Sequence, residues 1–332
     1  MNRPRAAALI LLATIAASAP ALTIKLGSLA PSGSPWEIAV KRIAAEWARL
    51  SGGAVSVKIY AGGIAGDEPD MVRKIRIGQL NAAAMTVSGL QGIFNGLKVL
   101  SFPLLIHDDA EFSYVLDRMK PFYEAELEKR GFKVVMWSPR GWTYFYSRRP
   151  IEAPDDLRGQ KLWVWAGDPD EIQAWQSTGF QVVPLASTDV MASLQGGMID
   201  ALATSPLIAA SNQWFGVIPN MYDLKLAPMW GATVVSTKTW AEVPAAMQQP
   251  FADAAQRITD AMTPDITRGD TEAIAVMLKY GLRITRATPG AEEKWREIVQ
   301  TGFSRMIGRS YDQASFDMAK GYLEEYRAAH AR

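Results

Sequence analysis

The stretch that decides the fold is KLWVWAGDPDEIQAWQSTGFQVV, residues 161–183. It begins with a short, largely apolar run that is typical of a strand, continues through a predicted helix over 168–178, and ends in a second strand at 181–183. A helix over 188–196 and a strand over 199–203 follow. Strands that alternate with helices in this way predict an α/β architecture with largely parallel sheets.

The same alternation extends in both directions along the chain. Upstream, the spacing of apolar residues predicts strands and helices in turn: strands at 22–26, 55–59, 82–86, 132–137 and 143–147, and helices from Pro35, near Asp67 and over 109–129. Downstream, Val234 and Val235 lie in a further strand, and the chain is mostly helical from Pro244. Pro264 interrupts one long helical run and predicts a kink there.

The composition argues against several classes of function. The 332 residues suffice for two domains, and 48% hydrophobic and 21% charged residues are typical of a globular protein. The net charge of +1 disfavours a nucleic-acid-binding surface. The chain has no cysteine and only two histidines, and it lacks catalytic and phosphate-loop motifs. The sequence therefore predicts a protein that is not an enzyme and holds neither a metal nor a cofactor.

The N-terminus resembles a signal peptide, which we assign to residues 1–21. Arg3 and Arg5 precede an apolar run over 6–16, and Ala19-Pro20-Ala21 fits a small-residue cleavage site. The run is shorter than the roughly 20 residues that a membrane-spanning helix needs. The sequence therefore predicts an exported protein that is cleaved after Ala21.

Eleven tryptophans are the unusual feature of the composition. Trp163 and Trp165 stand two residues apart in a strand, so both face the same side, together with Lys161. Trp142 and Trp230 lie next to glycines near strand ends, where aromatic rings can line a ligand cleft. Three other tryptophans on amphipathic helices favour simple core packing: Trp47, Trp175 and Trp295.

The ordered set of short motifs resembles the solute-binding proteins of tripartite ATP-independent periplasmic (TRAP) transporters. The resemblance covers essentially the whole chain after residue 21 and rests on six segments: LAPSGSPW at 29–36, YAGGIAGD at 60–67, SFPL at 101–104, IEAPDDLRGQK at 151–161, Val183-Pro184, and LQGG with IDA at 194–201. Each segment is weak alone, but their order and spacing are specific.

The resemblance implies a two-lobed periplasmic binding protein fold, with a ligand cleft between the lobes and a long kinked helix that spans both. We expect lobe I to comprise 22–145 and about 232–275, and lobe II to comprise 146–231 and about 276–332. The family implies a periplasmic, ligand-binding monomer that delivers a small molecule to the membrane permease subunits of a TRAP transporter.

The sequence departs from the family where the ligand binds. Trp163 stands at the position of the arginine that clamps a carboxylate in the family, Thr143 replaces a second arginine, and Thr204-Ser205 replaces a polar Glu-Asn pair. These changes predict a hydrophobic, aromatic or lipid-like ligand. The predicted ligand-binding residues are Trp36, Trp142, Thr143, Lys161, Trp163, Trp165, Thr204, Ser205 and Trp230.

Other interpretations stay open at this point. Lys161 supplies a cation on the Trp163 face, which allows a carboxylate ligand within the same family. Indole walls also suit sugars and quaternary ammonium compounds. Outside the family function, the chain is compatible with an apolar-ligand shuttle independent of a TRAP permease and, less readily, with an envelope enzyme.

Overall fold

The computed structural model of the protein describes residues 22–331; the signal peptide predicted for residues 1–21 lies outside them. The described chain alternates strands and helices. The strands are β1 (Leu22–Ser28), β2 (Val55–Tyr60), β3 (Ala82–Thr86), β4 (Phe132–Ser147), β5 (Lys161–Trp165), β6 (Gln181–Leu185), β7 (Ala201–Thr204), β8 (Asn220–Ser236) and β9 (Arg283–Arg286). The helices are α1 (Pro35–Leu50), α2 (Glu68–Arg76), α3 (Val87–Leu90), α4 (Asp109–Lys129), α5 (Pro154–Arg158), α6 (Pro169–Ser177), α7 (Val190–Gln195), α8 (Pro206–Ser211), α9 (Thr237–Glu242), α10 (Ala245–Lys279), α11 (Pro289–Gly302) and α12 (Gln313–His330).

One sheet runs through both lobes in the order β2-β1-β3-β8-β4-β7-β5-β6, with β9 beside β8. Lobe I contains the β2-β1-β3 end and lobe II the β7-β5-β6 end, and each of these sets is parallel. The two long strands β4 and β8 join them and run antiparallel to each other and to their other neighbours β7 and β3. The sheet is therefore mixed, not largely parallel as the sequence pattern predicts.

Helix α10 connects the lobes on one side of the sheet. It is a single bent helix that continues through Pro250 and Pro264. In lobe I, the indole Nε1 of Trp47 on α1 donates to the Phe251 carbonyl over 3.0 Å. Farther along α10, the Asp270 carboxylate accepts a hydrogen bond of 3.0 Å from the backbone N–H of Leu207, which lies on α8 of lobe II. The long helix spanning both lobes is confirmed.

The last helix, α12, contacts lobe I, although the boundaries expected from the sequence assign it to lobe II. The expected boundaries put 276–332 in lobe II, and α11 does pack on α5 and α6 there. Helix α12, however, packs on α4 and on the 3-10 helical segment Asn95–Ser101, which belong to the expected lobe I. The end of the chain therefore also contacts lobe I, in addition to the segment 232–275 that the expected boundaries assign to that lobe.

The helical tryptophans lie in the core, as predicted. Trp295 is fully buried in lobe II and stacks on Phe145, with 5.0 Å between ring centroids. Trp175 meets Phe303 edge-on at 4.9 Å, and Trp47 stacks on Phe251 at 4.8 Å. These aromatic clusters fix the helices of each lobe against the sheet.

Candidate functional site

A cavity of about 450 Å³ lies in the cleft, where the carboxyl ends of the parallel strands from both lobes converge. Leu29 follows β1 and Val87 follows β3 on the lobe I side. Trp165 ends β5 and Thr204 ends β7 on the lobe II side. Ligands of α/β proteins bind outside the carboxyl ends of strands, so the topology makes this cavity the candidate ligand site.

The two long paired strands, β4 and β8, form the floor of the cavity. Thr143 of β4 and Ala227, Pro228 and Met229 of β8 line it. Pairing between β4 and β8 shifts register three times, including once between Ser138 and Gly141. Such irregularities bend paired strands and re-aim their side chains, which opens room above the sheet at this point.

Six of the nine predicted ligand-binding residues line a cavity. The main cavity is lined by five of them: Thr143, Trp163, Trp165, Thr204 and Trp230. Trp36 lines a second, smaller cavity beside it, and Trp230 is shared by both. Trp163 and Trp165, which the sequence predicts on one face of a strand, both line the main cavity.

The other three residues lie outside both cavities. Lys161 stands at the amino end of β5, far along the strand from Trp165, and its ammonium group binds the Gly197 carbonyl and lies 3.8 Å from Asp200. The indole of Trp142 is buried and donates to Asp109 over 2.8 Å. Ser205 is fully buried, where its hydroxyl caps α8 by accepting from the Ile208 N–H.

The two tryptophans of β5 are held in place by hydrogen bonds. The Nε1 of Trp163 donates to the Leu185 carbonyl over 3.1 Å, so its ring lies across β6. The Nε1 of Trp165 donates to Asp67 Oδ2 over 2.9 Å. The Trp165 ring also folds against Gly167, where an added Cβ atom would come within 2.3 Å of it. Both indoles are therefore pre-positioned walls with few alternative rotamers.

Asp67 joins the lobes across the cleft. It caps α2 in lobe I, where its Oδ1 accepts from the Glu68 N–H over 2.8 Å. Its Oδ2 accepts from Trp165 Nε1 and, over 3.0 Å, from the backbone N–H of Ser187, both in lobe II. One carboxylate thus serves as helix cap and as contact between lobes.

Replacing this carboxylate by an amide separates its two roles. Asp67→Asn keeps the cap but turns an NH₂ group toward two N–H donors, so the contact between the lobes is lost. We expect ligand affinity to fall about tenfold in calorimetric titration, because the closed arrangement loses charge-assisted hydrogen bonds. The matched control is Asp70→Asn on the same helix, which affects only a half-exposed ion pair with Arg73. Equal affinity of the two variants would contradict the role of Asp67.

A buried charge cluster that the sequence pattern did not reveal borders the cavity. Lys98, in the segment Asn95–Ser101, is 5% exposed, and its ammonium group forms an ion pair with Asp168 at the start of α6. Glu171 Oε2 lies 3.9 Å from the same nitrogen, which also lies 4.7 Å above the ring of Tyr311. Lys98, Glu171 and Tyr311 line the cavity. Among the side chains that the structure describes there, Lys98 is the one cation.

The second carboxyl group of this cluster, Glu171, has a raised pKa. One third of the Glu171 side chain stays exposed, but its carboxyl group lies within the cleft. Desolvation there raises the pKa of Glu171, and the ammonium of Lys98 opposes this rise.

Glu68 is the second acid at the cavity wall, beside Glu171. It is 3% exposed, and its carboxylate oxygens accept from the Thr86 N–H over 2.6 Å and from the Thr86 hydroxyl over 2.8 Å. Burial raises the pKa of Glu68 to about 7, with a smaller contribution from the neighbouring charge of Asp67. Its local role is to fix the end of β3.

The raised pKa of Glu68 makes stability fall with rising pH. Between about pH 4.5, the ordinary value, and pH 7, the folded chain retains a proton that the unfolded chain has released. We expect this group to lower the free energy of unfolding by about 3 kcal/mol across that window. Urea denaturation of wild type and Glu68→Gln at pH 5 and pH 8 checks this, because the difference between them should change by that amount. The exposed variant Glu152→Gln should follow wild type, and parallel profiles for all three would contradict the expectation.

No helix among the described residues 22–331 combines the length and apolar character of a membrane span. In the same range, no three histidine or acidic side chains come together in a way that would hold a metal ion.

The fold and the cleft define a class: two α/β lobes that share a sheet, a long helix across both, and a solute-sized cavity between them. Residues 26–309 match the family described as bacterial extracellular solute-binding protein, family 7, and the chain belongs to that family. A solute-binding protein of Roseobacter denitrificans is 27% identical over 239 residues, 70% of this chain and 71% of the relative. The C4-dicarboxylate-binding periplasmic protein DctP of Vibrio cholerae is 20% identical over 294 residues, 86% of each chain.

Solved structures share the fold over nearly their full length. A TRAP periplasmic solute-binding protein from Ralstonia eutropha, with bound (S)-2-acetolactate, has a TM-score of 0.85 and 20% identity, covering 91% of this chain and 99% of that one. One from Desulfovibrio salexigens, with bound orotic acid, has a TM-score of 0.84 and 18% identity, covering 92% and 99%. The predicted two-lobed binding-protein fold is confirmed.

Proposed function

We propose that the protein binds a small organic carboxylate in the 450 Å³ cavity and delivers it to the membrane subunits of a TRAP transporter. The observation that carries the proposal is the Lys98 ammonium group at the wall of the cavity. The other lining residues are mostly aliphatic, aromatic and hydroxyl side chains, together with the acids Glu68 and Glu171. Structures of the same fold carry carboxylates: orotic acid, β-D-galacturonate, L-gulonate and succinate are examples. They do not support the hydrophobic or lipid-like ligand predicted from the sequence.

Lys98 retains hydrogen-bonding capacity for a ligand. An ammonium group has three N–H donors, of which Asp168 takes one, and Glu171 at 3.9 Å is beyond hydrogen-bond distance. A ligand carboxylate beside Lys98 gains a charge-assisted hydrogen bond in a partly desolvated site. The sequence allowed a carboxylate ligand with Lys161 as its cation. The proposal keeps the carboxylate and replaces Lys161 by Lys98.

The indoles give the cavity its shape. Trp163 and Trp165 line the cavity from β5, and Trp230 lines it from β8. Aromatic rings suit a planar or ring-shaped acid, and the hydroxyls of Thr143 and Thr204 lie among the lining groups that a polar substituent meets. The site therefore combines an anion contact with broad apolar surfaces.

The experiment compares acids with their neutral counterparts. Calorimetric titration of ligand-stripped protein uses orotate against uracil, and galacturonate against galactose. We expect at least one acid to bind at least 100-fold more tightly than its counterpart and to be recovered unchanged, as a binding protein without turnover requires. Tighter binding of both neutral compounds would contradict the carboxylate proposal.

We also propose that the mature chain begins at Leu22, acts in the periplasm and is monomeric. The small-residue segment Ala19-Pro20-Ala21, which follows the apolar run over 6–16, supports the first point. Mass spectrometry of the protein isolated from the periplasm measures the first two properties, and light scattering in solution measures the third.

A further inference from the structure

A second cavity of about 110 Å³ opens beside the main one. It lies on the lobe I side, between α1 and the ends of β1 and β3, and reaches β4 and β8 at Met136 and Gly231. Its walls are mostly apolar, with two indoles and three thioethers among them: Trp36, Val40, Ala84, Met85, Met136, Met229 and Trp230.

The two cavities are direct neighbours. Seven residues line both of them: Leu29, Pro31, Glu68, Thr86, Ile208, Met229 and Trp230. Ile208 comes from α8 of lobe II and the other six from lobe I elements and β8, so the second cavity adjoins the cleft. The side chains of these shared residues lie between a ligand in the main cavity and the second one.

Two polar side chains at the second cavity already have partners. The Ser28 hydroxyl accepts from the Ala30 N–H over 3.0 Å, and the Glu68 carboxylate accepts twice from Thr86. A polar ligand group that meets these two side chains would give up hydration without an equivalent replacement. Methionine side chains adapt to irregular apolar shapes, and a cavity of about 150 Å³ with apolar walls accommodates benzene. The size and walls suit a branched alkyl group or a single small ring.

We infer that the second cavity is a specificity compartment that takes an apolar substituent of the ligand whose carboxylate lies in the main cavity. The inference rests on the proposed function and narrows it to amphipathic acids: an anionic head with an unbranched-to-branched alkyl or aryl extension. Each methylene that enters the compartment strengthens binding about fourfold. An extension of three carbons or more gains on the order of 50-fold.

The test uses three acids that share a head group and differ in their extension. Propanoate, 4-methylpentanoate and 3-phenylpropanoate are titrated by calorimetry into ligand-stripped full-length protein. We expect the two longer acids to bind about 50-fold more tightly than propanoate. Equal affinities for all three overturn the compartment and leave the proposed function standing. No binding by any of them, together with a preference for uracil over orotate, overturns both.

Two variants locate the effect. Ala84→Met fills the second cavity and should remove the advantage of the longer acids while leaving propanoate unchanged. The matched control, Ala203→Met, enters the main cavity alone and should weaken all three acids alike. Because Ala84 lies in a strand, Trp36→Ala on the partly exposed start of α1 provides an independent check, and it should shift the preference toward the larger phenyl acid. Identical losses for Ala84→Met and Ala203→Met overturn the inference.

Discussion

The variant Lys98→Met is expected to lose carboxylate binding by about 100-fold or more. Its ammonium group borders the cavity, and removing one partner of a desolvated charge contact costs 2–5 kcal/mol or more. Calorimetric titration with the acid that binds wild type most tightly measures the loss. The single variant also leaves the Asp168 carboxylate buried without its cation, so stability falls at the same time.

A double variant separates binding from folding. Asp168→Asn removes the uncompensated charge yet keeps the cap of α6, where Asp168 Oδ1 accepts from the Glu171 N–H over 3.0 Å. Lys98→Met with Asp168→Asn should therefore recover much of the lost stability without recovering affinity. Wild-type affinity in the double variant would mean that another group holds the ligand's carboxylate.

The variant Gly231→Ala is expected to lower the free energy of unfolding by about 3 kcal/mol or more. Gly231 pairs with Thr86 across β3 and β8, and an added Cβ atom would lie 2.0 Å from the Met85 carbonyl oxygen. Backbone atoms cannot move aside as a flexible side chain does, so the two strands must separate. Urea denaturation at constant pH measures the change.

Helix α12 provides the matched glycine control. Gly321 lies inside that helix, and an added Cβ atom there meets nothing within 4 Å. Gly321→Ala should stabilise the protein by about 1 kcal/mol, because alanine is the better helix former. A loss below 1 kcal/mol for Gly231→Ala would show that β3 and β8 do not approach as closely as described.

The local elements could be predicted from the sequence, but their pairing could not. The apolar spacing over 109–129 predicts the full extent of α4, because an amphipathic helix repeats its pattern within one segment. Two separate strands were predicted where β4 is continuous, since Pro139 and Gly141 resemble a break. Pairing with β8, about 90 residues away, carries the strand through this segment with shifts in register.

In the candidate site, too, local features could be predicted from the sequence but contacts between distant segments could not. The period of a strand correctly placed Trp163 and Trp165 on one face, but it also placed Lys161 there, although Lys161 lies at the opposite end of β5 from the cleft. Lys98 carries no local signal, because its partner Asp168 is 70 residues away and the two meet only when the lobes come together. Side chains brought together by tertiary structure cannot be recognised from spacing in one chain.

The sharing of β4 and β8 between the lobes sets the order in which the protein can fold. Ala82 of lobe I pairs with Val235, so the lobe I part of the sheet stays incomplete until β8 has been synthesised. The lobe II strand β7 depends on β4, which is itself completed by β8. Contacts between residues so distant in sequence form slowly. We therefore expect the sheet to form only after most of the chain has been synthesised, and we expect neither lobe to fold on its own after truncation.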